Sequence, residues 1–210
     1  MSRAFSVDCR SCDRLASFLD EVGTRHPDYH ARPVPSFGPA DAQLLIVGLA
    51  PGMHGANATG RPFTGDYAGL LLYRTLFDFG FASAPESVSA KDGLQLRNCR
   101  ITNAVRCLPP QNKPTTDEVN NCNAYLQSEI GSAEPPKVVL ALGGVAHRAV
   151  LKALDVRLSA YPFGHAAWHE PAGVTLVDSY HCSRYNTQTR RLTEAMFRDV
   201  FQSIRVHLDG

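Results

Sequence analysis

The chain has 210 residues, 44% of them apolar, and a formal net charge of +1. That suffices for a single domain over 1–210 with a buried core, and is short for two. No apolar run reaches the length of a membrane span and residues 1–20 lack the apolar core of a secretory signal, so a membrane or exported protein is not expected.

The elements follow in chain order. Cys9 and Cys12 form a CxxC ahead of a predicted helix, Asp13–Arg25, which places Leu15, Phe18, Leu19 and Val22 on one face. The proline-punctuated stretch 26–39 is expected to be irregular. A first strand over Ala42–Leu49 ends at Gly48 and opens a glycine-rich loop, LAPGMHGANATGRPFTGD. That loop offers His54, Asn57, Phe63 and Asp66 just past the carboxyl end of a strand, where open α/β sheets bind ligands. It lacks the GK[ST] ending of a phosphate-binding loop, and Pro51 removes a backbone donor. One aromatic, two neutral polar groups and a carboxylate suit a flat, uncharged ring.

A helix over Tyr67–Phe79 should follow, then a strand over Cys99–Val105 and a proline-rich loop. The next helix, Thr116–Ile130, has Thr115 or Thr116 as its N-cap and turns Val119, Cys122, Leu126 and Ile130 inward. The apolar continuity of Lys137–Leu142 suits a strand covered on both faces. Gly143 and Gly144 turn the chain into a helix over Val145–Leu154. A fourth strand, Val174–Asp178, delivers the loop 179–186, and Leu192–Leu208 reads as the last helix. Alternating strands and helices predict a three-layer α/β/α sandwich around a four-stranded parallel sheet. Its carboxyl edge would gather Asp66, Asn103 and His181, a carboxylate, a carboxamide and an imidazole.

Taken singly, each residue has a plainer reading. Asp66 could merely cap a helix, Asn103 form a turn, and His54 or His181 be an ordinary hydrogen-bonded histidine. His165 and His169, flanking Trp168, read as surface residues, and Cys99 and Cys182 as packing. Arg184, Arg190, Arg191 and Arg198 gather near the C-terminus, as they would on any solvated helix face. Six cysteines in an intracellular chain argue for metal or reactivity rather than disulfides, and four thiolates suit zinc or iron–sulfur alike.

Three segments together narrow the reading. GLAPGMHGANATGRPFTGD resembles the first motif of the family 5 uracil-DNA glycosylases, close to GLAP-x-x-HG-x-N-x-TGR-x-FTGD. TNAVRCLPPQNKPT resembles that family's central motif with its cluster cysteine, and SYHCSRYNTQTRRLT its last motif. Leu49 and His54 stand where the related family 4 carries acidic residues. The chain departs from the pattern at Cys182, commonly proline or valine, at Arg190, commonly glycine, and at Gly52 and Met53, commonly alanine.

The resemblance implies hydrolysis of the N-glycosidic bond of uracil in DNA after base flipping, leaving an abasic site. It implies a catalytic set of Asp66, Asn103 and His181, and a base site of Gly48, Leu49, Ala50, His54, Asn57 and Phe63. Arg184 and Tyr185 would enter the DNA, and Cys9, Cys12, Cys107 and Cys122 would hold a 4Fe-4S cluster. It further implies action on other deaminated bases such as hypoxanthine or xanthine, a monomer without membrane attachment, and a cytoplasmic, nucleoid-associated location. With no lysine among the matched pocket residues, no Schiff base and no strand cleavage are expected. The competing readings are a non-catalytic iron–sulfur DNA-binding module and a nucleoside hydrolase.

Overall fold

The computed structural model of the protein describes residues 5–210. Helix α1 (Asp13–Arg25) precedes β1 (Leu44–Gly48), followed by the short α2 (Ala56–Thr59) and α3 (Tyr67–Asp78). Then come β2 (Cys99–Asn103), α4 (Thr116–Ile130), β3 (Val138–Leu142) and α5 (Gly144–Ala153). The chain closes with β4 (Trp168–His169), β5 (Thr175–Ser179), α6 (Arg184–Gln188) and α7 (Glu194–Asp209). The sheet runs β2-β1-β3-β5-β4, its first four strands parallel as expected.

The fifth strand is a correction. Trp168 and His169 pair antiparallel with Val177 and Leu176 at the sheet edge. Neither flanking histidine is a bare surface residue: His169 Nε2 lies 3.3 Å from an Asp178 carboxylate oxygen, and His165 stacks on Tyr180 at 5.0 Å. The other Asp178 oxygen meets His147 of α5 at 2.7 Å, so one buried carboxylate joins edge strand, central strand and helix. The loop 179–186 likewise contains the start of α6.

Strand side chains alternate between two cores. Leu44, Ile46, Ile101, Leu140 and Val177 face α3 and α7, where they meet Leu72, Leu76, Phe197 and Phe201. Leu45, Val47, Val139, Ala141 and Leu176 face α4 and α5. Every residue of β1, β3 and β5 is buried, which accounts for the continuous apolar reading of β1 and β3. A third core lies under α1, whose Leu15, Leu19 and Val22 pack on Val105, Leu108, Tyr125, Cys107 and Cys122. Burying three such aliphatic side chains contributes roughly 1.5–3 kcal/mol each.

This order places a topological switch beside β1. The chain leaves β1 for β2 on one side and later returns as β3 on the other. Loops leaving β1 and β3 therefore diverge and open a crevice at the carboxyl edge.

Candidate active site

A cavity of about 450 Å³ fills that crevice. Its walls come from every parallel strand: Leu49 and Ala50 after β1, Asn103 ending β2, Leu142–Val145 after β3, and His181 after β5. Phe63, Asp66 and Tyr67 enter from the loop before α3 and its first turn.

Backbone geometry fixes the floor. Gly48 and Asn103 are register partners across β1 and β2. A side chain at Gly48 would put a Cβ 2.4 Å from Asn103 Oδ1 and 2.7 Å from the Phe63 ring, so only glycine admits both groups. Phe63 sits at φ +55°, a left-handed conformation that costs a large residue of order 1–3 kcal/mol and aims its ring inward. The Phe63 and His181 rings lie 26° from parallel with centroids 5.9 Å apart.

Asn103 is 4% exposed, and its side-chain Oδ1 is buried without a hydrogen-bond partner. Such an acceptor costs about 1–3 kcal/mol unless something fills it. Asp66 caps α3, one carboxylate oxygen accepting the Gly69 N–H at 2.8 Å. The other oxygen faces Gly52 and Gly55; a Cβ at Gly55 would strike the carboxyl group, at 2.8 Å from Oδ2. Burial raises the Asp66 carboxyl above its ordinary value, against the lowering effect of the Gly69 and Ala68 N–H groups. Burial also pushes His181 down to about 4, so its imidazole is neutral at pH 7.

Three residues expected in the base site, Gly48, His54 and Asn57, are not in the cavity wall. His54 is exposed, its Nδ1 2.8 Å from the Tyr29 hydroxyl. Asn57 is fully buried in α2, where neither amide atom has a hydrogen-bond partner. His54 lies in the turn just before the short helix and is exposed, while the helix itself carries Asn57 into the protein. Gly48 lies behind Phe63 and Asn103 rather than on the open surface, while Leu49 and Ala50 line it. Arg184 sits at the rim, its guanidinium 5.8 Å from the Tyr67 ring centroid, and Tyr185 is 71% exposed beside it. Sequence reasoning missed Tyr67, Asn112 and the Gly143–Val145 wall. The glycine pair was visible but read only as a turn.

A second cluster stands at the base of α1. Cys9, Cys12, Cys107 and Cys122 surround a small depression together with Tyr125. Tyr125 Oη donates to Cys9 Sγ at 3.3 Å, Asn121 Nδ2 to Cys12 Sγ at 3.4 Å, and the Arg106 N–H to Cys122 Sγ at 3.5 Å. Burial pushes the Cys122 thiol up to about 11 and the Cys107 thiol higher still, the neighbouring sulfurs adding to both shifts. Four sulfurs in one depression, with donors aimed at three of them, fit a group that takes thiolates.

The sequence model of the uracil DNA glycosylase superfamily matches residues 35–205. A type-5 uracil-DNA glycosylase of Thermus thermophilus is 46% identical over 203 residues, covering 94% of this chain and 92% of its own. One from Pyrobaculum aerophilum is 42% identical over 200 residues, covering 93% and 87%. A type-4 uracil-DNA glycosylase of Archaeoglobus fulgidus falls to 28% over 201 residues, covering 92% and 87%. A base-sized crevice over four parallel strands and these matches define one class, and the chain belongs to the uracil-DNA glycosylase superfamily, within it to the type-5 family.

Proposed function

We propose that this protein removes uracil from DNA by hydrolysing the bond between N1 of the base and C1′ of the sugar, leaving an abasic site. The observation that carries this reading is the buried, unpartnered Asn103 Oδ1 in a cavity with Phe63, Asp66 and His181. A carboxamide with a free acceptor matches the uracil edge, taking N3–H on Oδ1 while its amide donates to O4. Cytosine reverses both and would leave the site's groups unpaired, which polar pockets reject by large factors.

A base within a duplex is out of reach, so the nucleotide must swing out at a cost of a few kcal/mol. Phe63 then stacks on the ring. As the glycosidic bond breaks, its electron pair leaves with the base. The neutral His181 donates an N–H to O2, where that charge develops, in the manner of an oxyanion hole. The free oxygen of Asp66 faces the sugar, stabilises its cationic character and orients water. The water oxygen bonds to C1′ and the released proton restores neutral uracil. Gly52 and Ala56 leave part of the wall small, which supports acceptance of hypoxanthine or xanthine.

We further propose that Cys9, Cys12, Cys107 and Cys122 hold a 4Fe-4S cluster, on the strength of the donors to sulfur and the burial described. When bound it would supply structural cross-linking. The protein is proposed to act as a monomer. No helix among the described residues is long and apolar enough to cross a membrane.

The test is incubation with a labelled uracil-containing duplex, then alkali to break abasic sites, with Asp66→Asn in parallel. Alkali-dependent breaks from the wild type and their loss in the variant are expected. A cluster-loaded wild type that leaves uracil, hypoxanthine and xanthine duplexes intact would overturn the reading in favour of a binding module.

A further inference from the structure

The loop that carries Phe63 is held from outside the cavity. Between residues 60 and 65 three positions take positive φ: Gly60 and Gly65 at +78°, and Phe63 at +55°. Glycine adopts that region freely, whereas a bulky aromatic returns to negative φ unless its surroundings prevent it. Phe63 stands between Pro62 and Thr64, whose polar groups are both tied into the protein. The Pro62 carbonyl accepts from the buried Tyr73 hydroxyl at 2.7 Å. The fully buried Thr64 hydroxyl lies 2.7 Å from Ser87 Oγ.

Ser87 belongs to the segment 83–96 between α3 and β2, which closes on itself where Ala82 pairs with Leu96. Asp92 organises this segment. Its Oδ2 accepts the Val88 and Ser89 N–H groups at 2.9 and 3.2 Å, and its Oδ1 the Leu94 N–H at 3.0 Å. The same Oδ1 takes Arg61 Nη1 at 2.7 Å, and Arg61 is buried. Arg61 Nη1 also donates to Ser87 Oγ at 3.0 Å, and Nη2 donates to the Ala90 carbonyl at 2.9 Å. Its guanidinium covers the Phe37 ring at 4.4 Å. The planar fork thus engages three acceptors of one segment, which fixes direction as well as distance. Burial works to raise the Asp92 carboxyl, but Arg61 and the three N–H groups hold it well below the usual carboxylate range, so the ion pair persists to low pH. None of Arg61, Ser87 and Asp92 lines the base cavity.

We propose that Asp92 and Arg61 are positioning residues for the flipped base: their ion pair locks the segment 83–96 against the turn 61–64 and keeps the Phe63 ring in the left-handed conformation from which it stacks. The inference rests on the glycosylase reading above. Without the brace the turn relaxes toward negative φ and the ring swings out of register with the base.

The test is a double-mutant cycle between Asp92→Asn and Phe63→Ala, read as single-turnover uracil release at saturating duplex. Asp92→Asn alone should slow release roughly 5- to 100-fold, the worth of one base stack, while affinity for an unmodified duplex stays at the wild-type value. In the Phe63→Ala background the same substitution should add less than about twofold, because the ring it positions is gone. Ser87→Ala keeps the ion pair but cuts its link to Thr64. It should show the same pattern at smaller size, and it decides the matter if Asp92→Asn does not fold. Lys91→Gln, exposed in the same segment, should change nothing. Equal losses in the two backgrounds, or wild-type release by both Asp92→Asn and Ser87→Ala, would overturn the proposal. The Cα chemical shift of Phe63 reports its φ without any DNA, and it should move in Asp92→Asn and Ser87→Ala but not in Lys91→Gln. An unmoved shift sinks the brace alone, whereas a wild type that releases no uracil sinks the glycosylase reading and leaves the shift to decide the brace.

Discussion

The two oxygens of Asp66 have separate tasks, so one substitution can divide them. Asparagine caps a helix about as well as aspartate, whereas alanine loses about 1 kcal/mol of cap. Asp66→Asn should thus melt near the wild type yet lose 10²–10⁴ in uracil release, the usual worth of a positioned carboxylate, read as single-turnover rates. Because burial raises the Asp66 carboxyl and the ionised form is the working one, wild-type activity should fall with pH along a limb above the ordinary carboxylate value of 3.8. His181 leaves a different mark. Unfolded it titrates near 6.5 and folded near 4, so between those values the unfolded state binds the proton. Stability contributed by this group is full above 6.5 and lost as pH falls toward 4, by at most about 1.4 kcal/mol per pH unit. Asp66 opposes it over the lower part of that window, since its raised folded value makes the native state hold a proton longer. Urea titrations at pH 7 and 5 should show the wild type losing stability and His181→Asn losing less; equal losses would contradict the neutral imidazole. Asn103→Ala should cost 10²–10³ on uracil, as removal of one transition-state donor does elsewhere.

Elements with local signals were legible, and those made by distant partners were not. The bounds of α1 and α4 follow from their apolar spacing, and Thr115 closes α4 with a full capping box against Glu118. Glu118 also takes Arg14 of α1 at 2.7 Å, so this cap ties together two helices that carry or adjoin the four grouped cysteines. Thr115→Ala should lower stability by about 1 kcal/mol and fray the start of α4, measurable by thermal melting and by amide exchange at residues 116–119. The four parallel strands were equally visible because both faces are covered. Strand β4 was not: two residues at an edge have no period of their own, and their pairing depends on β5 and on Asp178. Within the site, Asp66, Asn103, Phe63 and His181 end strands or begin turns, positions that a sequence reveals. His54 is exposed in the turn before α2, and the inward turn of Asn57 comes from α2, a single turn of helix with no apolar stripe to announce it.

At the scale of the whole molecule, the proposed cluster couples one end of the chain to the site without touching it. The cores on the two faces of the sheet draw nothing from α1, which rests on the third core around the cysteines. Losing the cluster should therefore release α1 and the loop after β2 while the sheet persists. Joining Cys12 to Cys107 closes a loop of roughly a hundred residues, a constraint worth about 4.7 kcal/mol in chain entropy. For a chain of this size that corresponds to a fall of roughly 10–20 °C in Tm. The site would feel the loss through β2, since Asn103 is followed within the same segment by Arg106, whose buried guanidinium meets Glu129 at 2.7 Å, and by Cys107. A Cys12→Ser variant, or protein stripped by chelator under mild oxidation, should melt lower and be cut by trypsin first at Arg10, Arg14 or Arg25. Far-ultraviolet dichroism should retain most of its signal, and uracil release should drop with affinity for DNA before the rate of the bound complex. Simultaneous loss of sheet and helix signal at one midpoint would show instead that the three cores fold as one unit, and that the cysteines support the sheet directly.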